Sequence, residues 1–146
     1  AAGWTETERG DTSMTVVVGE PVPELTRELG AAALMAYGAA TWDWHRLHYD
    51  QRYVEAHGAD APVVDGQMFG ALCAQAIIGW LGPRAFVTKL GYKMRSMVFA
   101  GDTVRIEGEV SGVEQTDHGP LVTIEQRGFV GDRLAVQTTT QVKLPV

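Results

Sequence analysis

Ionisable side chains are concentrated in one short stretch of the chain, ATWDWHRLHYD at residues 40–50. Asp43 and His48 stand five positions apart in it. A carboxylate beside an imidazole favours the charged forms of both groups, so such a pair can exchange protons with a water molecule near neutral pH. A single Asp or His in a loop is, however, usually a solvated or structural residue. The residues alone leave both interpretations open, a general acid–base pair and a polar loop.

The remaining ionisable groups of this stretch have structural interpretations. Arg46 is expected to pair with Asp50 or a neighbouring acid. Asp50 is also expected to cap the helix that follows. A metal would need a third ligand matched to His45 and His48, which are three positions apart. The pattern supplies no such ligand, so we expect no metal, and we expect no cofactor.

Helical patterns occupy residues 31–80. GAAALMAYGAAT and YDQRYVEAHG each predict a short helix, the second ending near Gly58. GQMFGALCAQAIIGWLG, which begins at Gly66, is apolar around most of its circumference. This stretch predicts a helix of roughly sixteen residues that is buried on nearly all sides.

Strand patterns follow over residues 85–144. DTVRIEGEVSGVEQ alternates apolar and polar residues, as half-buried strands do. The turn sequences AGD, DHGP and GD separate it from its neighbours, which predicts an antiparallel meander, and a further strand is expected near VVVGEPVP. The chain is therefore predicted to be a single α+β domain in which an antiparallel sheet curls around a long central helix, the hotdog fold.

Composition limits the class of protein and its partners. The 146 residues fit one domain, with residues 1–14 expected to be a flexible leader and residues 15–146 the folded domain. With 12 basic against 18 acidic residues, no nucleic-acid partner is expected. The single Cys73 fits a reducing compartment. No apolar run approaches the roughly 18 residues of a membrane span. These features favour a cytoplasmic protein that does not contact membranes.

The stretch TWDWHRLHYD at residues 41–50 resembles the motif of the MaoC-like dehydratases, or (R)-specific enoyl-CoA hydratases. That motif runs Ser/Thr, Gly, Asp, any residue, Asn, Pro, Ile/Leu, His, any residue, Asp. The family continues with Pro-Ile-Ala-His-Gly-Met at the start of its central helix, and this chain has PVVDGQM at residues 62–68. The likeness extends over residues 19–142. Trp42, His45, Arg46 and Asp65 depart from the motif, but W-x-x-H-R-I/L-H-Y-D also occurs in a related branch of acyl dehydratases.

The resemblance implies that Asp43 and His48 are the catalytic pair and that the substrate is an acyl-CoA thioester. Adding water to the C2=C3 bond of an enoyl thioester also needs a donor for the oxygen that becomes negative. The free N–H groups at the start of a buried helix suit that purpose, which points to Gly66. The alternative is that Gly66 simply begins the helix and that Asp65 caps it.

Four further residues are candidates for contact with the substrate: Asp65, Gln67, Trp44 and Arg95. Asp65 and Gln67 flank the glycine at the helix start. Trp44 could line an acyl pocket or fill the core. Arg95 follows the first strand after the helix, where the phosphates of coenzyme A could lie, although basic residues on exposed strands are more often solvated.

The predicted activity is that of a hydro-lyase, enoyl-CoA hydratase or 3-hydroxyacyl-CoA dehydratase. One alternative is a hotdog thioesterase, although such enzymes usually carry an acidic base in the central helix and residues 67–80 contain none. Another is a subunit of a heteromeric MaoC-like hydratase, as in steroid side-chain degradation. A single hotdog repeat leaves a sheet edge exposed, so a homodimer or higher oligomer is expected, or a heteromer with another hotdog chain.

Overall fold

The computed structural model describes residues 15–145. The predicted leader therefore lies outside the described residues. The helices are α1 (Ala31–Thr41), α2 (Gln51–Ala56) and α3 (Gly66–Leu81), with a 3-10 turn at Arg46–His48. The strands are β1 (Pro21–Glu28), β2 (Phe86–Met94), β3 (Thr103–Thr116), β4 (Gly119–Val130) and β5 (Arg133–Lys143). All elements predicted from the sequence are present, although β1 begins at Pro21, later than the apolar run before it suggested.

The five strands form one antiparallel sheet in the order β1-β3-β4-β5-β2. The predicted meander is correct for β3, β4 and β5, which are joined by tight hairpins. It is wrong for β2, which pairs with β5 at the far edge of the sheet and does not neighbour β3. The connection from β2 to β3 therefore crosses the sheet, and the residues 95–102 that make it pass beside the start of α3, where Val64 N–H donates to Val98 O at 2.8 Å.

The sheet packs against α3 along the whole helix. Phe69 and Cys73 lie in one apolar cluster with Ile106 of β3 and Val136 of β5. The second cluster surrounds the C-terminal half of the helix and contains Ile77. Burial of one such large side chain stabilises a fold by roughly 1.5–3 kcal/mol. The core therefore holds α3, and with it the residues that precede the helix.

One stripe of α3 is nevertheless exposed, so the prediction that the helix is buried on nearly all sides was wrong. The stripe consists of Gln67, Ala71, Gln75 and Gly79. These residues are spaced four apart, and two of the four, Ala71 and Gly79, are small enough to suit either environment, which explains why the apolar pattern around the helix did not reveal an open face. None of the helices within residues 15–145 has the length and apolar character that a membrane crossing requires.

A small cluster of hydrogen-bonded polar side chains lies in the core beneath the middle of α3. Gln126 of β4 donates from Nε2 to the carbonyl oxygen of Cys73 at 3.3 Å, and Thr138 Oγ1 lies 3.5 Å from Gln126 Oε1. Burial raises the pKa of the Cys73 thiol to about 11, although a hydrogen bond with Thr138 acts in the opposite direction. Cys73 is therefore a protonated, buried thiol of the core.

We expect the Cys73 thiol of the folded protein to resist alkylation at about pH 8, near the ordinary thiol pKa. The thiolate is the reactive form, and both its small population and its burial oppose attack. Mass spectrometry after iodoacetamide treatment measures this, with the urea-unfolded protein as the control that should react fully. Complete labelling of the native protein within the same time would contradict the prediction.

Candidate active site

Two hydrogen bonds of Val63 join the residue 40–50 stretch to the segment before α3. The Val63 N–H donates to Leu47 O at 3.0 Å, and the Val63 carbonyl lies 2.7 Å from His48 Nδ1. Because a carbonyl oxygen can only accept, Nδ1 must carry the proton. Nε2 of His48 is then the nitrogen left free for chemistry, either as an acceptor or, when the ring is protonated, as a donor.

Asp43 is placed by the end of α1. Trp42 and Asp43 both donate their backbone N–H groups to Gly38 O, the second at 3.0 Å. The Asp43 side chain accepts at Oδ1 from the His45 N–H at 3.1 Å. This local turn occupies one carboxylate oxygen and leaves the other available. The chain can make the turn because Trp42 adopts a left-handed conformation, with φ of 61°.

Gly38 is required for this arrangement. A Cβ atom at position 38 would lie 2.9 Å from the backbone oxygen of Asp43, closer than side-chain carbons approach. Sequence reasoning placed Gly38 inside the first helix without a role. A glycine within an otherwise alanine-rich helix was the available signal that another part of the backbone approaches closely.

Asp65 caps α3 with only one of its carboxylate oxygens. Oδ1 accepts from the Gln67 N–H at 2.8 Å. Oδ2 is buried and has no hydrogen-bond partner among the described residues. The capping interpretation of Asp65 is thus confirmed, and an unused acceptor remains. Gly66, the first helical residue, follows directly, and its N–H has no acceptor within residues 15–145.

The structure brings Asp43, His48 and Asp65 together. Each offers one nitrogen or oxygen atom, and the three atoms lie within 4.8 Å of one another. They line a cavity of about 10 Å³, whose remaining walls are Leu34, Tyr37, Gly38 and Met68. A volume of roughly 10–15 Å³ measured in this way accommodates one water molecule. The arrangement can therefore hold a water between two carboxylates and an imidazole.

The same three atoms could also bind a metal ion. Asp65 would then be a third ligand, which the sequence pattern around His45 and His48 did not provide. The expectation that no metal binds remains a prediction. Tyr37, which sequence reasoning did not select, also borders the cavity. Burial raises the pKa of Tyr37, as do the nearby charges of Asp65, Tyr92 and Asp43. Its hydroxyl consequently stays protonated at neutral pH.

The other candidate residues lie outside this cavity. Trp44 packs edge-to-face against Trp42 and Tyr49, with centroid distances of 6.1 and 6.4 Å. Gln67 is exposed in the first turn of α3. Arg95 is exposed, and its Nε donates to Gln137 Oε1 at 2.6 Å. Their roles in substrate binding stay predictions.

Arg46 and Asp50 form the predicted ion pair, at 2.8 Å. Asp50 is also the N-cap of α2, as expected, since it accepts from the Tyr53 N–H. That hydrogen bond, followed by the one from Arg46, lowers the pKa of Asp50. These two side chains support the loop that carries His48.

Residues 13–127 match the MaoC like domain family. The chain belongs to this family. It is 31% identical over 124 residues to the (R)-specific enoyl-CoA hydratase of Aeromonas caviae, a match that covers 83% of this chain and 90% of that protein. It is 28% identical over 118 residues to the beta subunit of 3-oxo-4,17-pregnadiene-20-carboxyl-CoA hydratase of Mycobacterium tuberculosis, covering 81% and 90%.

Solved structures of MaoC-like proteins have the same fold. The Aeromonas caviae (R)-hydratase superimposes with a TM-score of 0.82 at 28% identity, over 90% of this chain and 98% of that one. A chain of the ChsH1-ChsH2 complex of Mycobacterium tuberculosis superimposes with a TM-score of 0.81 at 26% identity, over 89% and 99%. These findings confirm the predicted hotdog fold and membership of a hydro-lyase family.

We expect Gly38→Ala to lower turnover by roughly 10- to 100-fold, the cost of a misplacement of about 1 Å in an active site. The new methyl group meets the Asp43 backbone oxygen at 2.9 Å, so the loop that carries Asp43 must move. Gly112→Ala is the matched control, because a Cβ atom at this position in β3 would make only ordinary contact, 3.7 Å from Thr123 Cβ. It should keep full activity and raise stability by up to about 1 kcal/mol. Steady-state rates and thermal unfolding of both variants measure this, and equal activity of the two would refute the role of Gly38.

Proposed function

We propose that this chain adds water to a trans-2-enoyl-CoA to give the (R)-3-hydroxyacyl-CoA and catalyses the reverse dehydration. The observation that carries the proposal is the meeting of Asp43 and His48 at a cavity the size of one water molecule. Their available atoms are a carboxylate oxygen and His48 Nε2, since local hydrogen bonds occupy the others. Both atoms can bind the same water.

In the proposed reaction, the Asp43–His48 pair takes one proton from the bound water as its oxygen bonds to C3. The pair then delivers a proton to C2 on the same face, so that the elements of water are added and the pair returns to its starting state. As the C2=C3 bond is lost, negative charge develops on the thioester oxygen. The free Gly66 N–H lies at the positive end of α3, which supports a role for it in stabilising that oxygen.

The local packing supports a functional reason for Gly66. A Cβ there would make ordinary contacts, 3.7 Å from Met94 Cγ and 3.8 Å from Tyr92 Cε2. The residue does not have a positive φ either. Neither crowding nor backbone conformation within this chain therefore requires glycine, whereas close approach of a substrate to the N–H would.

A hotdog thioesterase is the less favoured alternative. It would need an acid within α3 to act as a base, and the helix contains none between Gln67 and Leu81. The two acids at the cavity lie before the helix. Free coenzyme A thiol would be its product, so the two activities can be told apart with the same substrates.

We expect Asp43→Asn and His48→Ala each to lower turnover by about 10²–10⁴-fold, the usual contribution of general acid–base catalysis. The amide oxygen of the Asp43→Asn variant would still accept the His45 N–H, so the loop should keep its shape. The double variant should be little worse than the poorer single variant, because the two groups act on one water. Formation of 3-hydroxyacyl-CoA from a panel of trans-2-enoyl-CoAs measures this.

His45→Asn is the matched control for the histidine. It replaces the ring but keeps an acceptor for the Leu47 N–H, which His45 Nδ1 now accepts at 3.1 Å. This variant should retain most of the turnover. Equal loss in the His45 and His48 variants, or an unimpaired Asp43→Asn protein, would refute the assignment of the catalytic pair.

We also propose that the active protein contains at least two hotdog chains. A cavity of about 10 Å³ holds a water but not an acyl group, since pockets for ligands of that size measure roughly 300–1,000 Å³. β2 pairs only with β5 among the described strands, and it exposes 67% of Phe86 and 41% of Tyr92. A second chain beside this edge and the open face of α3 would complete the acyl pocket.

A heteromeric hydratase is a specific form of this proposal, because one relative of this chain is named as the beta subunit of a CoA hydratase. We also propose a reducing cytoplasm as the location of the assembly, in keeping with the single cysteine, Cys73, of the sequence.

The assembly predicts that the active species has a mass in solution well above 15.8 kDa, and at least twice that value if it is a homo-oligomer. Light scattering at micromolar concentration measures the mass, and the enoyl-CoA assay is run on the same sample. A homo-oligomer should be active alone, whereas a heteromer should gain activity only with a second hotdog chain. A monomer with full activity would refute the proposal.

A further inference from the structure

The capping contact does not account for the carboxylate of Asp65. The cap uses Oδ1, which accepts the Gln67 N–H, and a Ser or Asn side chain would cap about as well. Asp65 is only 9% exposed, and its buried Oδ2 has no hydrogen-bond partner in the part of the chain that the structure describes. A buried acceptor that makes no hydrogen bond costs free energy. Burial of a charged group beside Asp43, another acid, adds to that cost.

The position of the Asp65 side chain suggests what compensates for this cost. Asp65 lines the same cavity as Asp43 and His48, and one atom from each lies within 4.8 Å of the other two. A water in this cavity has two O–H bonds. Addition to the double bond breaks one of them and retains the other as the hydroxyl of the product. The Asp43–His48 pair accepts the proton of the O–H bond that breaks. The O–H bond that is retained needs a separate hydrogen-bond acceptor.

We infer that Asp65 is a third catalytic residue, whose Oδ2 accepts the O–H that water keeps during the reaction. This inference rests on the proposed hydration. One O–H points at Asp65 and the other at the Asp43–His48 pair, so that a lone pair of the water oxygen faces C3. The C3–O and C2–H bonds form while one O–H bond and the C2=C3 π bond break, and no oxidant or reductant is required. In the product, the C3 hydroxyl donates to Asp65.

This role gives different kinetic consequences in the two directions. The 3-hydroxyacyl-CoA donates its hydroxyl to Asp65 in the ground state, whereas the enoyl-CoA has no group that does so. Loss of the carboxylate should therefore raise the KM of the hydroxyacyl-CoA in dehydration. In hydration it should lower kcat and leave the KM of the enoyl-CoA nearly unchanged. A general structural defect would not separate the two substrates in this way.

The test compares Asp65→Asn, Asp65→Ser and the parent protein in both directions. Asn and Ser keep a side-chain acceptor for the Gln67 N–H and remove the second carboxylate oxygen, so thermal unfolding should change little. We expect kcat/KM to fall roughly 10- to 100-fold in each direction, the contribution of one hydrogen bond to a charged group. Glu20→Gln is the matched control, since it also exchanges a carboxylate for an amide that can still accept a backbone N–H, here that of Val17, and Glu20 does not line the cavity. It should retain the parent kinetics.

Normal kinetics of Asp65→Asn in both directions would overturn the inference while leaving the hydratase proposal intact. A parent protein that forms no 3-hydroxyacyl-CoA would instead count against the hydratase proposal. In that case a high-resolution crystal structure still decides the place of Asp65, with a water expected between Oδ2 and the Asp43–His48 pair. A protein donor bonded to Oδ2, or a metal ion at about 2.0–2.2 Å from it, would overturn the inference.

Discussion

The active site depends on the backbone of Val63. Its N–H holds Leu47 and its carbonyl holds the His48 ring, so one peptide segment fixes both the position and the tautomer of the histidine. Two backbone hydrogen bonds join this segment to the connection between β2 and β3. Val64 N–H donates to Val98 O, and Ala100 N–H donates to Pro62 O. The loop that carries Asp43 and His48 contributes little to the apolar core and is held by these hydrogen bonds.

Local hydrogen bonds also decide which atoms remain for chemistry. Asp43, His48 and Asp65 each use one polar atom in a structural hydrogen bond. Asp43 accepts the His45 N–H, His48 donates to the Val63 carbonyl, and Asp65 accepts the Gln67 N–H. The hydrogen bonds of residues 15–145 leave the second polar atom of each side chain free for chemistry. A bidentate side chain can thus be rigid and reactive at once, which is the preorganisation that acid–base catalysis requires. Asn can replace either Asp as a structural acceptor, and this makes structure and chemistry separable by mutation.

Local features of the chain could be predicted from the sequence, because periodicity and turn residues report them directly. These include α3, the β3–β5 hairpins and the Asp50 cap, while the approach of Asp43 to His48 came from the family motif. The position of β2 could not be predicted, since an apolar strand pattern does not state which partner the strand pairs with. The close contact of Gly38 with Asp43 and the unpaired oxygen of Asp65 depend on where distant segments meet. The open stripe of α3 was missed because alanine and glycine are compatible with either environment.

Two residues that depart from the family motif, Trp42 and Asp65, are in energetically unfavourable states. Trp42 directly precedes Asp43 in the chain, and Asp65 lines the cavity. Trp42 occupies a place where the motif has glycine, and its left-handed conformation costs an L-residue roughly 1–2 kcal/mol. Its side chain is 80% exposed, so burial within this chain does not offset that cost. Asp65 adds a buried oxygen that has no hydrogen-bond partner within residues 15–145. The core between α3 and the sheet supplies the stability that tolerates both. Strained or unsatisfied groups that persist in this way cluster at functional sites, because the groups that bind substrate cannot also be satisfied by the protein itself.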